Sequence, residues 1–454
     1  MIHFLFIRHD GCRRLFLHHL LRGSTTLAVL IAVAVIPQFI SARQLRADQP
    51  QRPNVVLIMA DDMGYECVGA NGGTSYATPN LDALAARGAR FTNCHSQPLC
   101  TPTRSQLMTG MYNNRNYIRF GLLAPKAYTI GHMFRDAGYR TYIAGKWQLE
   151  GGPEGPNHFG FEGYTLWQTT RRPPRYPNPG LEIDGKEVDY TMGEYGPELV
   201  CSALLKFIRD HKNEPFFAYY PMILPHSPHV PTPESPDWDP TVMGPEKGGG
   251  KNKHFAEMVA YVDKNVGRIV STLNQEGLSD NTLILFLGDN GTNQAITSRM
   301  GKESIQGGKG KTKDNGTHVP LIVAGPGISP TIREDLVDTT DFLPTLAEAI
   351  GVKPPAGIRF DGHSFLEAAK GTGKSSREWI YCWYERGGNR EKASRHARTA
   401  RYKLYLTGEM FDVIADPNET TPLPNDQQAE LRKQLTTVLD QMESATLNPV
   451  EEGK

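Results

Sequence analysis

The chain has 454 residues, with 49 lysines and arginines against 49 aspartates and glutamates, so its formal net charge is zero. Hydrophobic residues make up 39% and charged residues 22%, which excludes a disordered chain and a membrane bundle. The net charge of zero excludes a strongly basic nucleic-acid binder. The length suits one large α/β domain with a smaller appendage, and six cysteines are too few for a disulfide scaffold.

The first 47 residues have the three parts of a secretory signal. Residues 1–24 hold four arginines against one aspartate, Leu27–Ile36 is an apolar run of ten residues, and small residues follow at Ser41 and Ala42. A membrane-spanning helix needs roughly 20 apolar residues, so an uncleaved anchor is the less favoured alternative. We expect cleavage after Ala47, or alternatively after Ala42, and a periplasmic or secreted protein without membrane attachment.

The route of export is open, because Arg13-Arg14 resembles a twin-arginine signal and also suits an ordinary basic n-region. Removing residues 1–47 takes away six arginines and one aspartate, which leaves 43 basic residues (49 − 6) and 48 acidic residues (49 − 1). The mature protein is therefore expected to be mildly acidic.

Apolar runs and amphipathic segments alternate along the next part of the chain. In chain order we predict a strand at Asn54–Ala60, a helix at Asn80–Arg87 capped by Thr78, a strand at Ala89–His95, helices at Thr101–Gly110 and Thr129–Ala137, a strand at Arg140–Ala144, a helix at Glu198–His211, a strand at Phe216–Met222, a helix at His254–Glu276, and strands at Thr282–Leu287 and Val319–Val323. This alternation favours an α/β sheet with helices on both faces.

A Gly, Ser and Lys-rich stretch at 370–378 is typical of a linker. Beyond it we predict strands at Ile380–Tyr384, Arg401–Leu406 and Met410–Val413 and a helix at Gln427–Met442. The sequence therefore predicts an export segment at 1–47, a large domain at 48–370 and a small C-terminal domain at 371–454.

Polar residues gather where the predicted strands end, which is where open α/β sheets place their functional sites. Five separated groups stand out: Asp61-Asp62, Cys100–Arg104, Lys146, His226, and Asp289-Asn290 with Lys309 beyond. Each group alone has an ordinary structural explanation as a turn, a helix cap, a buried thiol or a solvated side chain.

Together, these groups resemble the formylglycine-dependent sulfatases, the type I sulfatases of the alkaline-phosphatase-like superfamily. The most specific match is Cys100-Thr-Pro-Thr-Arg104 with the Thr109-Gly110 that follows, which fits the family's Cys-x-Pro-x-Arg pattern. The runs RPNVVLIMADDMG, GKW at 145–147, LGDNG at 287–291 and GGKG at 307–310 come in the family's order. The resemblance extends from about Arg52 to about Gly351, and more weakly to Pro417.

The resemblance implies an alkaline-phosphatase-like fold, with a large mixed sheet flanked by helices and a small C-terminal α+β domain. It implies that a maturation enzyme oxidises Cys100 to formylglycine, whose hydrate attacks sulfur and then expels sulfate as the aldehyde reforms. A plain serine or cysteine would instead form a covalent sulfo-enzyme that is hard to release. The expected reaction is hydrolysis of a sulfuric ester, with a sulfated sugar or polysaccharide as the expected substrate.

The resemblance also assigns roles to the remaining groups. One Ca²⁺ would be held by oxygen ligands and by the hydrated residue 100, with Mg²⁺ as the less favoured alternative. Basic residues would bind the sulfate. The implied metal ligands are Asp61, Asp62, Cys100, Asp289 and Asn290. Arg104 would hold the nucleophile ionised, Lys146 and Lys309 would bind sulfate oxygens, and His226 would protonate the leaving alcohol.

Two positions depart from the family pattern. Gln148 replaces the histidine that bonds the hydrated aldehyde, and an amide does not titrate. We interpret this as altered proton handling rather than lost activity. His318 replaces an arginine, which bears on local packing, and His229 is expected to have no role. Outside the export segment and Cys100, four cysteines remain (Cys67, Cys94, Cys201 and Cys382), which we expect to be buried free thiols, although two disulfides would also be compatible with export.

Two alternative functions stay open at this point. One is a phosphate or phosphonate ester hydrolase of the same superfamily, and the other is a sulfated-glycan-binding homologue that has lost catalysis. The sequence indicates no nucleic-acid partner, and it does not indicate an oligomeric state, the sulfated position, or exo or endo action.

Overall fold

The computed structural model describes residues 52–150, 154–168, 173–241 and 252–445. The predicted export segment lies outside these residues. Among the helices that are described, none combines the length and the apolar character needed to cross a bilayer.

Eighteen strands form one ten-stranded sheet and three smaller sheets in the described residues. They are β1 (Asn54–Ala60), β2 (Ala89–His95), β3 (Tyr117–Arg119), β4 (Leu122–Leu123), β5 (Arg140–Gly145), β6 (Gly163–Trp167), β7 (Gly180–Ile183), β8 (Lys186–Asp189), β9 (Phe216–Pro221), β10 (Thr282–Gly288), β11 (Thr297–Met300), β12 (Glu303–Gln306), β13 (Leu321–Ala324), β14 (Thr331–Asp338), β15 (Ile380–Tyr384), β16 (Ser394–Arg398), β17 (Tyr402–Tyr405) and β18 (Met410–Asp412).

The large sheet has the order β14-β2-β13-β10-β1-β9-β5-β6-β7-β8 and is mixed. The five strands β10, β1, β9, β5 and β6 run parallel to one another, while β13 runs antiparallel to both β10 and β2. All seven residues of β1 are buried, because β10 and β9 flank it on either side. The parallel centre brings the carboxyl ends of these strands to one edge.

The helices of the described residues cover both faces of this sheet and also pack against the small C-terminal sheet. They are Pro79–Ala86, Cys100–Thr109, Asn113–Asn116, Ile130–Asp136, Gly196–Asp210, Lys253–Gln275, Asp314–Thr317, Phe342–Ala349, Leu366–Lys370 and Ala429–Ser444, with 3-10 turns at Tyr65–Cys67, Gly69–Asn71, Gly155–Phe159, Ser279–Asn281 and Thr339–Asp341.

The side chains of β1 alternate between two apolar cores, as the two-residue period of a strand requires. Val56 and Ile58 join the core that includes the helices Gly196–Asp210 and Lys253–Gln275. Val55 and Leu57 join the opposite core, which includes the helix Cys100–Thr109. The two cores hold the central strands rigidly and so fix the positions where those strands end.

The C-terminal part forms the antiparallel sheet β15-β16-β17-β18 and a long final helix. Tyr381 and Trp383 of β15 pack with Leu435 and Leu439 of that helix in a third apolar core. The predicted α/β fold with a small C-terminal sheet is confirmed.

Every predicted strand and helix is present, with ends that differ by at most two residues. Thr78 takes the predicted N-cap position of the helix Pro79–Ala86, but its side chain makes no capping hydrogen bond. Its hydroxyl instead accepts a hydrogen bond from the amide of Gly69 and donates one to Asp82. The expectation of buried free thiols is confirmed for Cys67, Cys94, Cys201 and Cys382.

The predicted linker 370–378 is held closely against the rest of the fold. The Ser375 amide donates to Asp335 over 2.7 Å, and the buried Arg377 guanidinium bonds the buried Asp341 carboxylate over 2.7 Å. The division into two domains at residue 370 stays a prediction.

Candidate active site

The ends of four parallel strands supply most of the candidate residues. Asp61 and Asp62 follow β1, Asp289 and Asn290 follow β10, and Lys146 follows β5. The residues after β9 lead to His226. Because β9, β1 and β10 are neighbours in the sheet, these separated groups meet at one edge.

Gly145 allows β5 to end against its neighbour β9. It has a φ of +125°, and a Cβ on it would lie 2.0 Å from the carbonyl oxygen of Pro221. The next amide, that of Lys146, donates to the same carbonyl over 2.8 Å. A side chain at position 145 would therefore push Lys146 out of the site.

The helix Cys100–Thr109 starts at the candidate nucleophile, and all of its residues are buried. Pro102 lies in its first turn, where the missing amide hydrogen costs nothing. The Thr103 hydroxyl accepts from the amide of Gln97 over 3.0 Å, which fixes the chain just before the helix. Gly110 ends the helix in a left-handed conformation, with φ at 67°. Cys100 is therefore positioned by a rigid, buried element.

Three carboxylates of the site are each matched by a basic side chain. Lys146 Nζ lies 2.6 Å from Asp61 Oδ2, Lys309 Nζ lies 2.6 Å from Asp62 Oδ2, and Arg104 Nη2 lies 3.0 Å from Asp289 Oδ2. Arg104 also donates to the carbonyl of Lys146 over 2.7 Å. All of these side chains are buried except that of Lys309, which is 17% exposed.

Two oxygens of the cluster are buried and have no hydrogen-bond partner: Asp61 Oδ1 and Asn290 Oδ1. Asn290 donates through its nitrogen to Asp62 Oδ1 over 2.9 Å, so its oxygen is left free. A buried acceptor without a donor is costly, at about 1–3 kcal/mol. Carboxylate and amide oxygens are the ligands that Ca²⁺ and Mg²⁺ prefer, so the residues present fit a hard divalent cation.

The charges of the cluster shift the pKa values of its acids in opposite directions. Burial alone would raise the pKa of the Asp61 and Asp62 carboxyls, but Lys146 beside Asp61 and Lys309 beside Asp62 hold both below the usual range. Burial and the neighbouring Asp61 carboxylate raise the pKa of Asp289 to about 7. Three carboxylates this close therefore hold a full set of negative charges poorly unless a cation joins them.

His226 completes the acidic side of the site. Its Nε2 lies 3.8 Å from Asp62 Oδ2, and ligand atoms of Asp61, Asp62 and His226 lie within 4.8 Å of one another. Burial lowers the pKa of His226 to about 3, although both aspartates oppose this shift. The hydroxyl of Tyr176 donates to the His226 carbonyl and so anchors the backbone of this loop.

Gln148 occupies the position expected for a partner of residue 100. The Cys100 thiol donates to Gln148 Oε1 over 3.1 Å. Gln148 has a left-handed backbone with φ at 53°, which turns its side chain back toward the start of the helix. The substitution therefore keeps a direct polar contact with residue 100.

Two further histidines have structural surroundings. His318 stacks on Tyr65 with ring centroids 4.1 Å apart, and its Nε2 lies 2.8 Å from the Thr92 carbonyl oxygen, which agrees with the expected packing role. His229 is 4% exposed and packs edge-on against Phe255, while its Nε2 is buried without a hydrogen-bond partner.

The predicted site residues thus lie together, and the sequence reasoning missed one neighbour of theirs. Arg175 Nη1 lies 3.2 Å from His226 Nδ1. No motif surrounds Arg175, so nothing in the sequence pointed to it.

Comparisons with known proteins agree with this geometry. A family model described as Sulfatase matches residues 53–352. The chain belongs to the sulfatase family. A second family model, described as N-sulphoglucosamine sulphohydrolase, C-terminal, matches residues 309–445. The resemblance noted from the sequence is confirmed, and the protein is an enzyme that hydrolyses sulfuric esters.

Individual relatives cover most of the chain. Arylsulfatase A of Bos taurus is 31% identical over 408 residues, covering 80% of this chain and 77% of that protein. An N-acetylgalactosamine-6-O-sulfatase of Bacteroides thetaiotaomicron is 28% identical over 413 residues, covering 73% and 79%. The solved structure of Ps i-CgsB in complex with k-i-k-neocarrahexaose has a TM-score of 0.75 at 26% identity, covering 88% and 94%.

Proposed function

We propose that this sulfatase releases sulfate from a sulfated sugar or polysaccharide, with residue 100 converted to formylglycine and one Ca²⁺ bound. The observation that carries the proposal is the pair of buried, unpartnered oxygens on Asp61 and Asn290 beside the start of the helix Cys100–Thr109. The names of two similar proteins, an N-acetylgalactosamine-6-O-sulfatase and a neocarrahexaose complex, support a saccharide substrate.

In this proposal, Asp61, Asp62, Asp289 and Asn290 hold the cation together with residue 100. When bound, the cation neutralises negative charge on the nucleophile and on the sulfate oxygens. Formylglycine would supply a nucleophile with a built-in route of release.

The basic side chains bind the sulfate. Lys146 and Lys309 each contact a different carboxylate, and an ammonium has three N–H groups, so each lysine keeps further donors for sulfate oxygens. Arg104 lies in the first turn after residue 100, where it stabilises an ionised hydroxyl at that position. These groups are fixed before the reaction, which is what electrostatic stabilisation of a transition state requires.

His226 is the proposed proton donor to the leaving alcohol. Its imidazole lies beside Asp62 and is 19% exposed, so the oxygen of a leaving alcohol can reach it. Its pKa of about 3 means that the ring is neutral at neutral pH before substrate binds. The negative charge of a bound sulfate opposes this lowering and favours the protonated ring.

The proposal also includes a maturation enzyme and a location. A formylglycine-generating enzyme acts on the segment around Cys100, and the mature protein is periplasmic or secreted after loss of residues 1–47. The signal-like composition of that segment supports export.

The test compares matched esters with protein produced alongside a formylglycine-generating enzyme. We expect sulfate release from nitrophenyl sulfate to exceed phosphate release from nitrophenyl phosphate, and we expect activity on at least one member of a sulfated saccharide panel. Mass spectrometry should show that the Cys100 thiol has been converted. Cys100→Ala is the control and should stay folded and inactive. Faster turnover of the phosphate, or full activity with an intact thiol, would overturn the proposal.

A further inference from the structure

Arg175 stands at the edge of the active site in a fixed position. Its guanidinium carbon lies 4.1 Å from the centre of the Trp167 ring, a cation–π contact. Its backbone is packed tightly, because a Cβ on Gly196 would lie 2.1 Å from the Arg175 carbonyl oxygen. The neighbouring Tyr176 is buried and bonds the loop that carries His226. These contacts therefore hold the Arg175 guanidinium in one position.

The polar partners of Arg175 do not satisfy it. Among the described residues, no carboxylate lies within salt-bridge distance of its guanidinium, and its one polar contact is with His226 Nδ1, at 3.2 Å. That same Nδ1 lies 2.5 Å from the carbonyl oxygen of Ser227. A carbonyl only accepts, so the Nδ1 that donates to Ser227 has no lone pair for Arg175.

The charge balance of the site also indicates that Arg175 lacks an anionic partner. The inner site holds three carboxylates against three basic side chains, namely Asp61, Asp62 and Asp289 against Lys146, Lys309 and Arg104. A divalent cation adds two positive charges, and an ionised nucleophile and a scissile sulfate add one negative charge each. With His226 counted as neutral, the inner sum is then zero, and Arg175 adds one positive charge that no carboxylate of the described residues pairs with.

We propose that Arg175 binds a second anionic group of the substrate, a carboxylate or a second sulfate, carried next to the sulfate that is cleaved. This inference rests on the proposed function. One imidazole ring separates the guanidinium from the Asp62 carboxylate, so a group attached to the same or the adjacent sugar unit reaches it. The planar guanidinium offers paired donors that match either anion.

The experiment compares wild type with Arg175→Gln and Arg175→Lys on four esters. Nitrophenyl sulfate and a neutral hexose monosulfate carry one anion, whereas a sulfated hexuronic acid and a disulfated hexosamine carry two. For Arg175→Gln we expect KM to rise about 10- to 100-fold on at least one ester of the second kind, because a hydrogen-bonded charge is lost. On the first kind, the change should stay within about threefold. The KM of Arg175→Lys should lie between those of wild type and Arg175→Gln, since lysine keeps the positive charge but not the paired donors of the guanidinium.

Arg401→Ala is the control, because Arg401 also stacks on an aromatic ring, that of Tyr402, but lies just before β17 in the C-terminal sheet. It should leave all four KM values unchanged. The two esters with two anions distinguish a carboxylate from a second sulfate as the ligand. An equal loss on all four esters would show that Arg175 acts through His226, and a wild type without preference for a second anion would also overturn the inference.

A second measurement separates this inference from the proposed function. Calorimetric binding to Cys100→Ala protein needs no turnover, so it decides the role of Arg175 even if wild type cleaves no sulfate ester. We expect tighter binding of the two-anion saccharide than of the neutral monosulfate, with the difference abolished by Arg175→Gln in the same background. Equal affinities in the parent would refute the inference, whereas inactivity of wild type alone would count only against the proposed function.

Discussion

Lys403 joins the C-terminal sheet to the segment that follows Lys309. Its ammonium is fully buried and lies 2.6 Å from Glu419 Oε1, 3.4 Å from Asp314 Oδ1 and 2.9 Å from the Thr312 carbonyl. Lys403→Met leaves the Glu419 carboxylate, whose side chain is 2% exposed, without its cation. Removing one partner of such a buried pair costs about 3–5 kcal/mol.

For about 400 residues, that loss corresponds to a fall in melting temperature of roughly 4–6 °C. Calorimetry would measure it, alongside the double variant Lys403→Met/Glu419→Gln, which should recover much of the loss because no buried charge is left alone. Lys433→Met, on the exposed side of the final helix, should change stability by less than about 0.5 kcal/mol. A single-variant loss below about 1 kcal/mol, or a double variant no better than the single one, would refute this reasoning.

Three further outcomes are expected. Asp289→Ala should lose bound calcium, since one of three carboxylate ligands is removed, and elemental analysis showing full occupancy would contradict the assignment. Lys309→Ala should lower turnover by roughly 10²- to 10³-fold, and a merely twofold loss would mean that another group grips the sulfate. Arg398 and Lys403 hold the pKa of the partly buried Asp314 below its usual range, although loss of solvent around the carboxyl acts in the opposite direction. Its ionised form therefore contributes stability above the unfolded pKa of about 3.9 that is lost as pH falls below it, and denaturant titrations should show the advantage over Asp314→Asn shrinking from pH 5 to pH 3.

Local patterns were sufficient to place the catalytic strands. NVVLIMA in β1 and TLILFLG in β10 are continuous apolar runs, which indicates strands buried on both faces. Asp61-Asp62 follow the first run and Asp289-Asn290 follow the second. Parallel neighbours end at the same edge, so the meeting of Asp61, Asp62, Asp289 and Asn290 follows from the topology.

The edges of the large sheet were harder to predict. β14 begins with partly buried residues that alternate with exposed ones and is rich in charge, so hydrophobicity alone does not mark it as a strand. The hairpin β7-β8 did carry a readable signal, because Asp184 and Gly185 join its strands with φ at 47° and 82°. An Asp-Gly pair between alternating residues is the hairpin signal that the sequence analysis left unused.

Contacts between distant segments could not be predicted from one sequence. The Cys382 thiol donates to Gln97 over 3.2 Å, and Arg175 reaches His226, yet each pair joins segments without a shared pattern. Such contacts depend on how loops pack after the sheet has formed. The rim of the site, which selects the substrate, is therefore less predictable than its centre.

The contact between Gln148 and residue 100 is predicted by the sequence motif and is present in the structure, where Cys100 Sγ lies 3.1 Å from Gln148 Oε1. An amide at this distance can hold a hydroxyl of the nucleophile but cannot exchange a proton with it. Wild type should therefore lack one limb of the pH–rate profile, and Gln148→His should add a limb near the usual histidine pKa of about 6.5. Gln148→Leu, which keeps the size but not the hydrogen bond, should lower turnover by about tenfold, as for loss of one charge-assisted contact. Initial rates from pH 5 to pH 9 on one aryl sulfate would measure all three. Identical profiles for wild type and Gln148→His would show that position 148 does not handle protons, and a wild type that is inert until Gln148→His restores turnover would show that the amide abolishes catalysis.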